Sequence, residues 1–398
     1  MIDISQAIKI IDRETGSLGT EKVDLAVAVG RVLSEDVIAD TNLPPFDRSQ
    51  MDGYVVIAAD TIAAPVTLKV VGESAAGRGW HRKLQTGQAV AIMTGAPVPK
   101  GADAVQKIEL TRQSADGSVE ILEPAETGKF IVRLGSEIEK GTAIFRSGEI
   151  VTENMIATLA AFGYAKVMVT NRPRVSILGT GSEIVDMTKK PGRDQIRNSN
   201  SVMLDVLSRK FGAVTTILPN AKDEISYLKS QIKNAAKKSD ILVMTGGVSV
   251  GKYDLTKLAL TDLGAEIFFD KVRLKPGKPA VFARLGNTLV FGLPGNPVSA
   301  AVTFHLFVRL AILKMQNAST TTQQQGFAVL AADARAAKER DTYLPAKLST
   351  DKSGHLIANP LKWFGSSDFI GFARADSLIF VQKGGEIKKG EVAAIVYL

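Results

Sequence analysis

The sequence predicts a multidomain α/β plus β protein: a helical and extended domain carrying an inserted β module, a mostly parallel three-layer α/β domain, and a small C-terminal β barrel. Three observations predict it. From Arg174 to Met315, short apolar runs alternate with helix-period segments, the pattern of a mostly parallel sheet covered on both faces. From Pro65 to Ile150, and again from Gly326 to Leu398, the runs are short, β-type and broken by glycine and proline. Finally, 398 residues exceed what one ordinary core organises, so two to four domains are expected.

Taken in order, Ile4, Ala7, Ile8 and Ile11 trace one face of a short helix. In Leu43 to Tyr54 two prolines forbid a helix and Asp52-Gly53 marks a turn. Two readings fit this stretch: a stiff linker between domains, or a rigid loop presenting Asp47, Ser49 and Asp52. The β-type runs VTLKVVG, AVAIMTG, DAVQKIE, SVEIL, KFIVRLG and AIFRSG follow, with a loop at Met93 to Pro99. Thr152 then caps a helix with apolar face Met155, Ile156, Leu159 and Phe162 and a stop at Gly163. A helix on either side of the β module marks it as an insertion. The strand candidates VSIL, VTTI, ILVM, AVFA and TLVF alternate with helices at 201–211, 223–238, 255–263 and 298–315. A polar linker after Gln316 leads to the C-terminal strands. The expected domains are 1–45 with 146–173, then 46–145, 174–318 and 326–398.

Composition is globular, with 45% hydrophobic and 23% charged residues. The net charge of +8 is spread among acids, without a basic stripe, so no nucleic-acid partner is expected. With no cysteine there is no disulfide and no thiolate, which fits a reducing, cytoplasmic setting. His81, His305 and His355 lack zinc spacing. The opening residues are charged too early for a signal peptide. Pro297 to Met315 is apolar but carries His305 and Arg309 mid-run, so it reads as a buried helix and no membrane is expected.

The chain is organised around Asp240 to Asp254, DILVMTGGVSVGKYD. Strand, glycine loop (Gly246, Gly247, Ser249, Gly251) and helix start together offer free backbone N–H groups, which suit a phosphate. Gly246 to Tyr253 stops short of a nucleotide-triphosphate loop, because Tyr253 stands where a small hydroxyl must ligate Mg²⁺. Leu178 to Ile184 has two glycines of a dinucleotide fingerprint and lacks the third. Two further rigid loops, Lys275 to Pro279 and Leu293 to Ser299, are expected to face the same pocket at the carboxyl edge of the sheet. Lys275 and Lys278 are long cations on a proline-fixed loop, suited to a tetrahedral oxyanion. Asp254 reads as a helix cap or as a carboxylate sharing Mg²⁺ with substrate. Asp240 and Glu183 sit beside strand ends and read as surface acids or as similar ligands. Ser299 opens a helix and offers its hydroxyl and N–H.

PPFDRSQMDGY, IMTGAPVPKGADAV, TGGVSVGKYD, KPGKPAVFA and FGLPGNPVSA follow one another over nearly the whole chain. In this order they resemble the signatures of the molybdopterin molybdenumtransferase family, which includes MoeA and the gephyrin E-domain. The resemblance implies a Mg²⁺-dependent transferase of molybdenum cofactor biosynthesis. It would insert molybdenum from molybdate into adenylylated molybdopterin and release AMP, working as an elongated homodimer of four domains. Its neighbours in the pathway would be the molybdopterin adenylyltransferase and the maturation proteins of molybdoenzymes. Carried over to this chain, Gly246, Gly247, Ser249 and Gly251 match the pterin-phosphate loop, and Asp254 the magnesium-associated acid. Asp240 and Glu183 match acids of the same cleft, Asp240 as a second metal acid. Lys275, Lys278 and Ser299 match the molybdate pocket, flanked by Pro279, Pro294, Gly295, Asn296 and Pro297. Arg340 and Ser366 match late-domain contributors, and Asp52 and Thr94 match residues the partner subunit brings. The chain departs from the family pattern at Arg48 (for Asn), at Ser182 before Glu183, at Glu137 (for Asp) and at Pro345. Two alternatives are a molybdopterin adenylyltransferase-like enzyme, whose glycine loop differs, and a non-enzymatic gephyrin-like scaffold, which needs no acids and lysines around a pocket.

Overall fold

The computed structural model describes residues 1–221, 224–247, 255–362 and 365–398. The chain forms two compact units. One comprises Met1–Glu35, Ser147–Ile156 and Lys166–Leu398, and the other Asp36–Arg146 with Ala157–Ala165.

In the larger unit the α/β layer, labelled in chain order, comprises β1 (Arg174–Gly179), α1 (Asn200–Lys210), β2 (Val214–Ile217), α2 (Ile225–Ala236), β3 (Ile241–Thr245), α3 (Leu255–Asp262), β4 (Glu266–Lys271), β5 (Pro279–Leu285), β6 (Thr288–Leu293) and the long helix α4 (Pro297–Met315). The strands form one six-stranded sheet in the order β2-β1-β3-β6-β5-β4. Every residue of β3 is buried, as a central strand covered on both faces requires. Alternate residues serve opposite faces. Val175, Ile177, Val243 and Phe291 pack with Leu204 of α1 and the body of α4. Leu178, Leu242, Met244 and Val290 pack with Leu228 and Ile232 of α2 and Ala259 and Leu260 of α3. The layers are therefore helix, sheet, helix.

Five strands run in the same direction, and β5 alone is reversed, antiparallel to both of its neighbours β6 and β4. Alternation in sequence suggested parallel pairing for AVFA and TLVF. The structure joins them instead by the two-residue turn Gly286-Asn287, with Leu285 opposite Thr288. Gly286 has φ +60°, which a tight hairpin turn demands and glycine supplies without strain. Strand β4 was not expected, since its run EIFFDK carries three charges.

The helix Ile4–Glu14 buries Ile4, Ala7 and Ile11 in the same core as Leu274 and Leu310. Pro297–Met315 has the length and hydropathy of a membrane-crossing helix, but 89% of its most apolar window is buried inside the protein. It is the core helix, with a π-helical stretch at Phe304–Val308. The C-terminal strands Gln325–Leu330, Asp341–Thr350, Leu356–Pro360, Ser377–Val381 and Val392–Tyr397 close into a barrel, because Asp341–Thr350 pairs with both Leu356–Pro360 and Ser377–Val381.

The smaller unit is built on a six-stranded sheet: Ala104–Lys107, Gly53–Val56, Gln88–Ile92, Val66–Ser74, Ser118–Ile121 and Thr111–Gln113, in that order. Val37–Ile38 pairs with Ala143–Phe145, so the chain enters and leaves this unit side by side. The predicted helix after it is Glu153–Ala161, through which the division between the two units passes. Gly163 adopts φ +77° just past its end.

Candidate functional site

The chain runs from β1 outward to β2, then returns to β3 on the other side of β1. Between the carboxyl ends of β1 and β3 there is therefore a crevice that no crossover covers, where open α/β sheets bind ligands. Into it come the segments following β1, β3 and β6. Thr180 N–H donates to Thr245 O at 2.9 Å, and Gly246 N–H to Leu293 O at 3.3 Å. Gly246 and Gly247 both have positive φ, +91° and +61°. Space as well as conformation dictates glycine here. A Cβ on Gly246 would overlap the Thr180 carbonyl oxygen, and one on Gly247 would lie 3.0 Å from both Thr180 Oγ1 and Thr256 Oγ1. Gly295 packs beside them, and a Cβ there would stand 3.5 Å from Gly246 Cα, an ordinary contact.

Asn200, 9% exposed, ties these loops together. Its Nδ2 donates to Thr245 Oγ1 at 2.9 Å and to Gly295 O at 2.7 Å, while Thr245 Oγ1 donates to Pro294 O at 3.1 Å. Among the described residues its buried Oδ1 has no partner, and neither has the fully buried Thr256 Oγ1 beside Gly247. Thr180, Asn200 and Thr245 were missed in the sequence. The signal available was Asn198-Ser199-Asn200 ahead of an apolar-periodic helix, a cluster of capping residues.

Because β5 is antiparallel to β6, its first residue lies at this same edge, with Pro279 opposite Lys271. That places the Lys275–Lys278 loop there too. Gly277 (φ +119°) has room for no side chain, since a Cβ would meet Thr303 of α4 at 2.6 Å and Leu274 at 3.0 Å. Lys275 and Lys278 are exposed, and neither forms an ion pair among the described residues. Arg340 is carried alongside: Asp341 N–H donates to Arg273 O at 3.1 Å, and Lys275 stands in register with Thr342.

The start of α4 is less open than expected. Pro297 has no N–H, and Val298 N–H donates to Ser366 O at 3.1 Å. Ser366 Oγ also accepts from Asn296 Nδ2 at 2.8 Å, so Ser366 and Asn296 seal the helix start. Ser299, 4% exposed, lies one residue further in. Glu183 follows β1 at the same edge, its carboxylate folded over Gly181. Ser249, Gly251 and Asp254 lie outside the described residues.

Asp240 is a correction. It precedes β3, at the amino edge, with the whole strand between it and Gly246. Six residue steps at ~3.3 Å each separate the two by roughly 20 Å. Its carboxylate is also engaged: Oδ2 accepts from Arg174 N–H at 2.8 Å and Nε at 3.2 Å, and Oδ1 from a terminal guanidinium nitrogen at 2.9 Å. These bonds hold the Arg174 guanidinium above its ordinary pKa. Asp240 fastens the starts of β1 and β3, at the opposite edge of the sheet from Gly246. Among the described residues no group of three or more acidic or histidine side chains is placed to hold a metal.

Asp52 and Thr94 meet in the smaller unit. Asp52 Oδ1 accepts from Thr94 N–H at 2.7 Å and Thr94 Oγ1 at 3.0 Å, which together hold the Asp52 carboxyl below its usual range. The two loops carrying them are zipped together by Ser49 N–H to Ala96 O and Val98 N–H to Asp47 O, at 3.0 and 2.8 Å. The stretch from Asp47 to Asp52 is thus fastened to the Met93 to Pro99 loop by hydrogen bonds. Arg48 and Glu137, both departures from the family pattern, form an ion pair at 3.2 Å.

Residues 2–163 match the family model described as MoeA N-terminal region (domain I and II). Residues 176–314 match a probable molybdopterin binding domain, and 328–398 the MoeA C-terminal region (domain IV). The molybdopterin molybdenumtransferase of Bacillus subtilis is 35% identical over 390 residues, 96% of this chain and 90% of that one. That of Haemophilus influenzae is 32% identical, covering 99% of this chain and 98% of its own. The crystal structure of the molybdopterin biosynthesis moeA protein from Pyrococcus horikoshii OT3 superposes with a TM-score of 0.87 at 29% identity, over 100% of both chains.

Proposed function

The chain belongs to the MoeA family of molybdopterin molybdenumtransferases, and from that premise we propose that it takes adenylylated molybdopterin and molybdate and releases AMP and molybdenum cofactor. It is an enzyme of molybdenum cofactor biosynthesis by molybdenum insertion. The observation that carries the finer reading is the meeting of Thr180, Gly246-Gly247 and Gly295 at the uncovered end of β1 and β3, with the exposed cations of the Lys275–Lys278 loop on the same edge.

In this reading the Gly246-Gly247 turn receives the phosphates of the substrate, because only a side-chain-free backbone lets them approach so closely. Asn200 keeps that turn and the Pro294-Gly295 turn in fixed relation. Lys275, Lys278 and Arg340 attract the molybdate dianion and replace part of its hydration with charge-assisted hydrogen bonds. Water then cleaves the phosphoanhydride bond so that AMP leaves, and the two dithiolene sulfurs bond to molybdenum as molybdate oxygen departs with their protons as water. Glu183 is a hard oxygen donor at the right edge, which suits Mg²⁺, an ion that commonly uses one or two carboxylates plus substrate phosphates. Glu183, with Asp254 as the sequence suggests, would hold it. When bound it would neutralise charge developing on the phosphoanhydride oxygens. We further propose a homodimer in which Asp52 and Thr94 serve the partner's cleft, working in the cytoplasm. The four-domain division expected from the sequence is kept as part of this reading.

The alternatives are not favoured. Family models match regions on both sides of the central domain, which a lone adenylyltransferase-like domain would lack, and the relatives are named as enzymes. The test is to incubate the purified protein with adenylylated molybdopterin and molybdate. AMP release that depends on molybdate supports the reading, and its absence with intact, folded protein overturns it.

A further inference from the structure

A second concavity, of about 560 Å³, opens on the same sheet edge, one strand away from the glycine turn. It lies beyond the ends of β1 and β2, between the Ile184–Lys189 segment and the first turn of α1. Val202 and Leu218 give it an apolar lining, and Met187 and Ile217 line it while remaining 57% and 43% exposed. Exposed apolar side chains on two walls of a cavity are suited to the two faces of a flat ring.

The polar wall is a relay of amides. Asn198 Nδ2 donates to Asn220 Oδ1 at 2.6 Å and to Ser201 Oγ at 2.9 Å, while Asn198 Oδ1 accepts from Ser201 N–H at 3.0 Å. Asn220 therefore has its oxygen committed, and its Nδ2 has no partner among the described residues. Toward the cavity Asn220 offers this Nδ2 as a donor. The relay presses on Gly179, where a Cβ would come 2.8 Å from Asn220 Oδ1 and 3.0 Å from Asn198 Nδ2. Gly179 leads directly into Thr180, on which Gly246 and Gly247 rest. Ring cavity and phosphate turn thus share one wall.

We propose that this cavity seats the planar nitrogen heterocycle of the substrate. Asn220 Nδ2 donates to a ring nitrogen or ring carbonyl, and Met187 and Ile217 cover the ring faces. The inference rests on the functional reading above, in which the substrate carries two such rings, a pterin and an adenine. Both present acceptors on a flat bicyclic frame, and the experiment separates them.

Full-length protein is titrated calorimetrically with 6-hydroxymethylpterin and, separately, with AMP. The wild type is compared with Asn220→Asp, which keeps the acceptor for Asn198 and removes the donor, and with Met187→Ala, a change at an exposed position. Thermal melting checks that each variant is folded. The wild type is expected to bind at least one probe, Asn220→Asp to weaken it by about tenfold and Met187→Ala by about threefold. The probe affected identifies the ring. Inorganic phosphate, titrated as a control for the added charge, should change by less than about twofold. The proposal is overturned if the wild type binds neither probe, if both variants bind as the wild type does, or if phosphate weakens as much as the ring. AMP release keeps the two readings apart. Turnover by the wild type with ring binding indifferent to both variants sinks the cavity alone. Ring binding weakened by the variants in a protein that releases no AMP sinks the function and leaves the cavity.

Discussion

Replacing Gly246 by alanine separates backbone conformation from space. Gly246 has φ +91° and Gly264, in the same unit, +77°, so alanine at either enters the left-handed region at a cost of ~1–2 kcal/mol. Around Gly264 a Cβ meets nothing within 4 Å, whereas at Gly246 it overlaps Thr180 O and lies 3.0 Å from Thr180 Oγ1. Since the obstruction is backbone, and Thr180 N–H is held to Thr245 O at 2.9 Å, relief requires β1 and β3 to part at their ends. Overpacking of this kind adds ~1–3 kcal/mol. Urea unfolding should therefore show Gly246→Ala about 2–5 kcal/mol less stable than wild type and Gly264→Ala only about 1–2. Molybdate-dependent AMP release should be lost in the first and retained in the second. Equal stability of the two variants, or an active Gly246→Ala, would refute the claim that the crevice is closed to a single methyl group.

Other perturbations follow from the same geometry. Asp240→Asn should lower stability by about 1 kcal/mol, a modest figure because Arg174 remains 60% exposed, and leave AMP release and its Mg²⁺ dependence unchanged. A Mg²⁺ requirement shifted upward by this change would restore Asp240 to the site. Asn200→Ala frees the Thr245 and Gly295 acceptors and should reduce turnover at saturating substrate more than it raises KM. A pure KM effect would make Asn200 a binding residue and not a positioning one. Lys278→Ala should raise the molybdate concentration for half-maximal turnover by one to two decades, roughly, with binding of adenylylated molybdopterin measured without molybdate changing far less. A fall in both affinities would remove this loop from the molybdate pocket. His305 is 5% exposed, and burial first, then Lys210 and Arg309, lower its pKa to about 4. Neutral in the fold and ordinary when unfolded, it contributes stability that is present above pH ~6.5 and lost as pH falls through about 4. Unfolding measured over that window should show the wild type losing about 3 kcal/mol more than His305→Leu.

The sequence was legible wherever one local rule was sufficient. Helical periodicity found α1, α2, α3 and α4 to within a few residues, because the buried face of each helix repeats along its own chain. Continuous burial made ILVM recognisable as the central strand. Pairing direction was less legible. The hairpin of β5 and β6 hinges on Gly286-Asn287, two residues whose turn geometry is not visible in apolar runs. Strand β4 was missed because an edge strand beside a hairpin needs burial on few of its residues, and charges at Glu266, Asp270 and Lys271 mask its period.

The candidate site shows the same division more sharply. Gly246, Gly247, Lys275, Lys278 and Gly295 were readable because each sits in a loop whose composition restricts its own backbone. Asp240 was misread because adjacency in sequence to a functional loop says nothing about the length of strand lying between them. An acid before a parallel strand and a glycine pair after it are neighbours on paper and opposite ends of the sheet in space. Asn200 was missed for the converse reason. It is 45 residues from Thr245 and 95 from Gly295, yet one amide group bonds to both. Chain connectivity makes that meeting necessary: β1 and β3 flank the crevice only because β2 was laid down on the far side of β1, and α1, which makes that crossing, must begin at the crevice mouth. The first polar residue of α1 is therefore a residue of the site by topology, whatever its neighbours in the sequence.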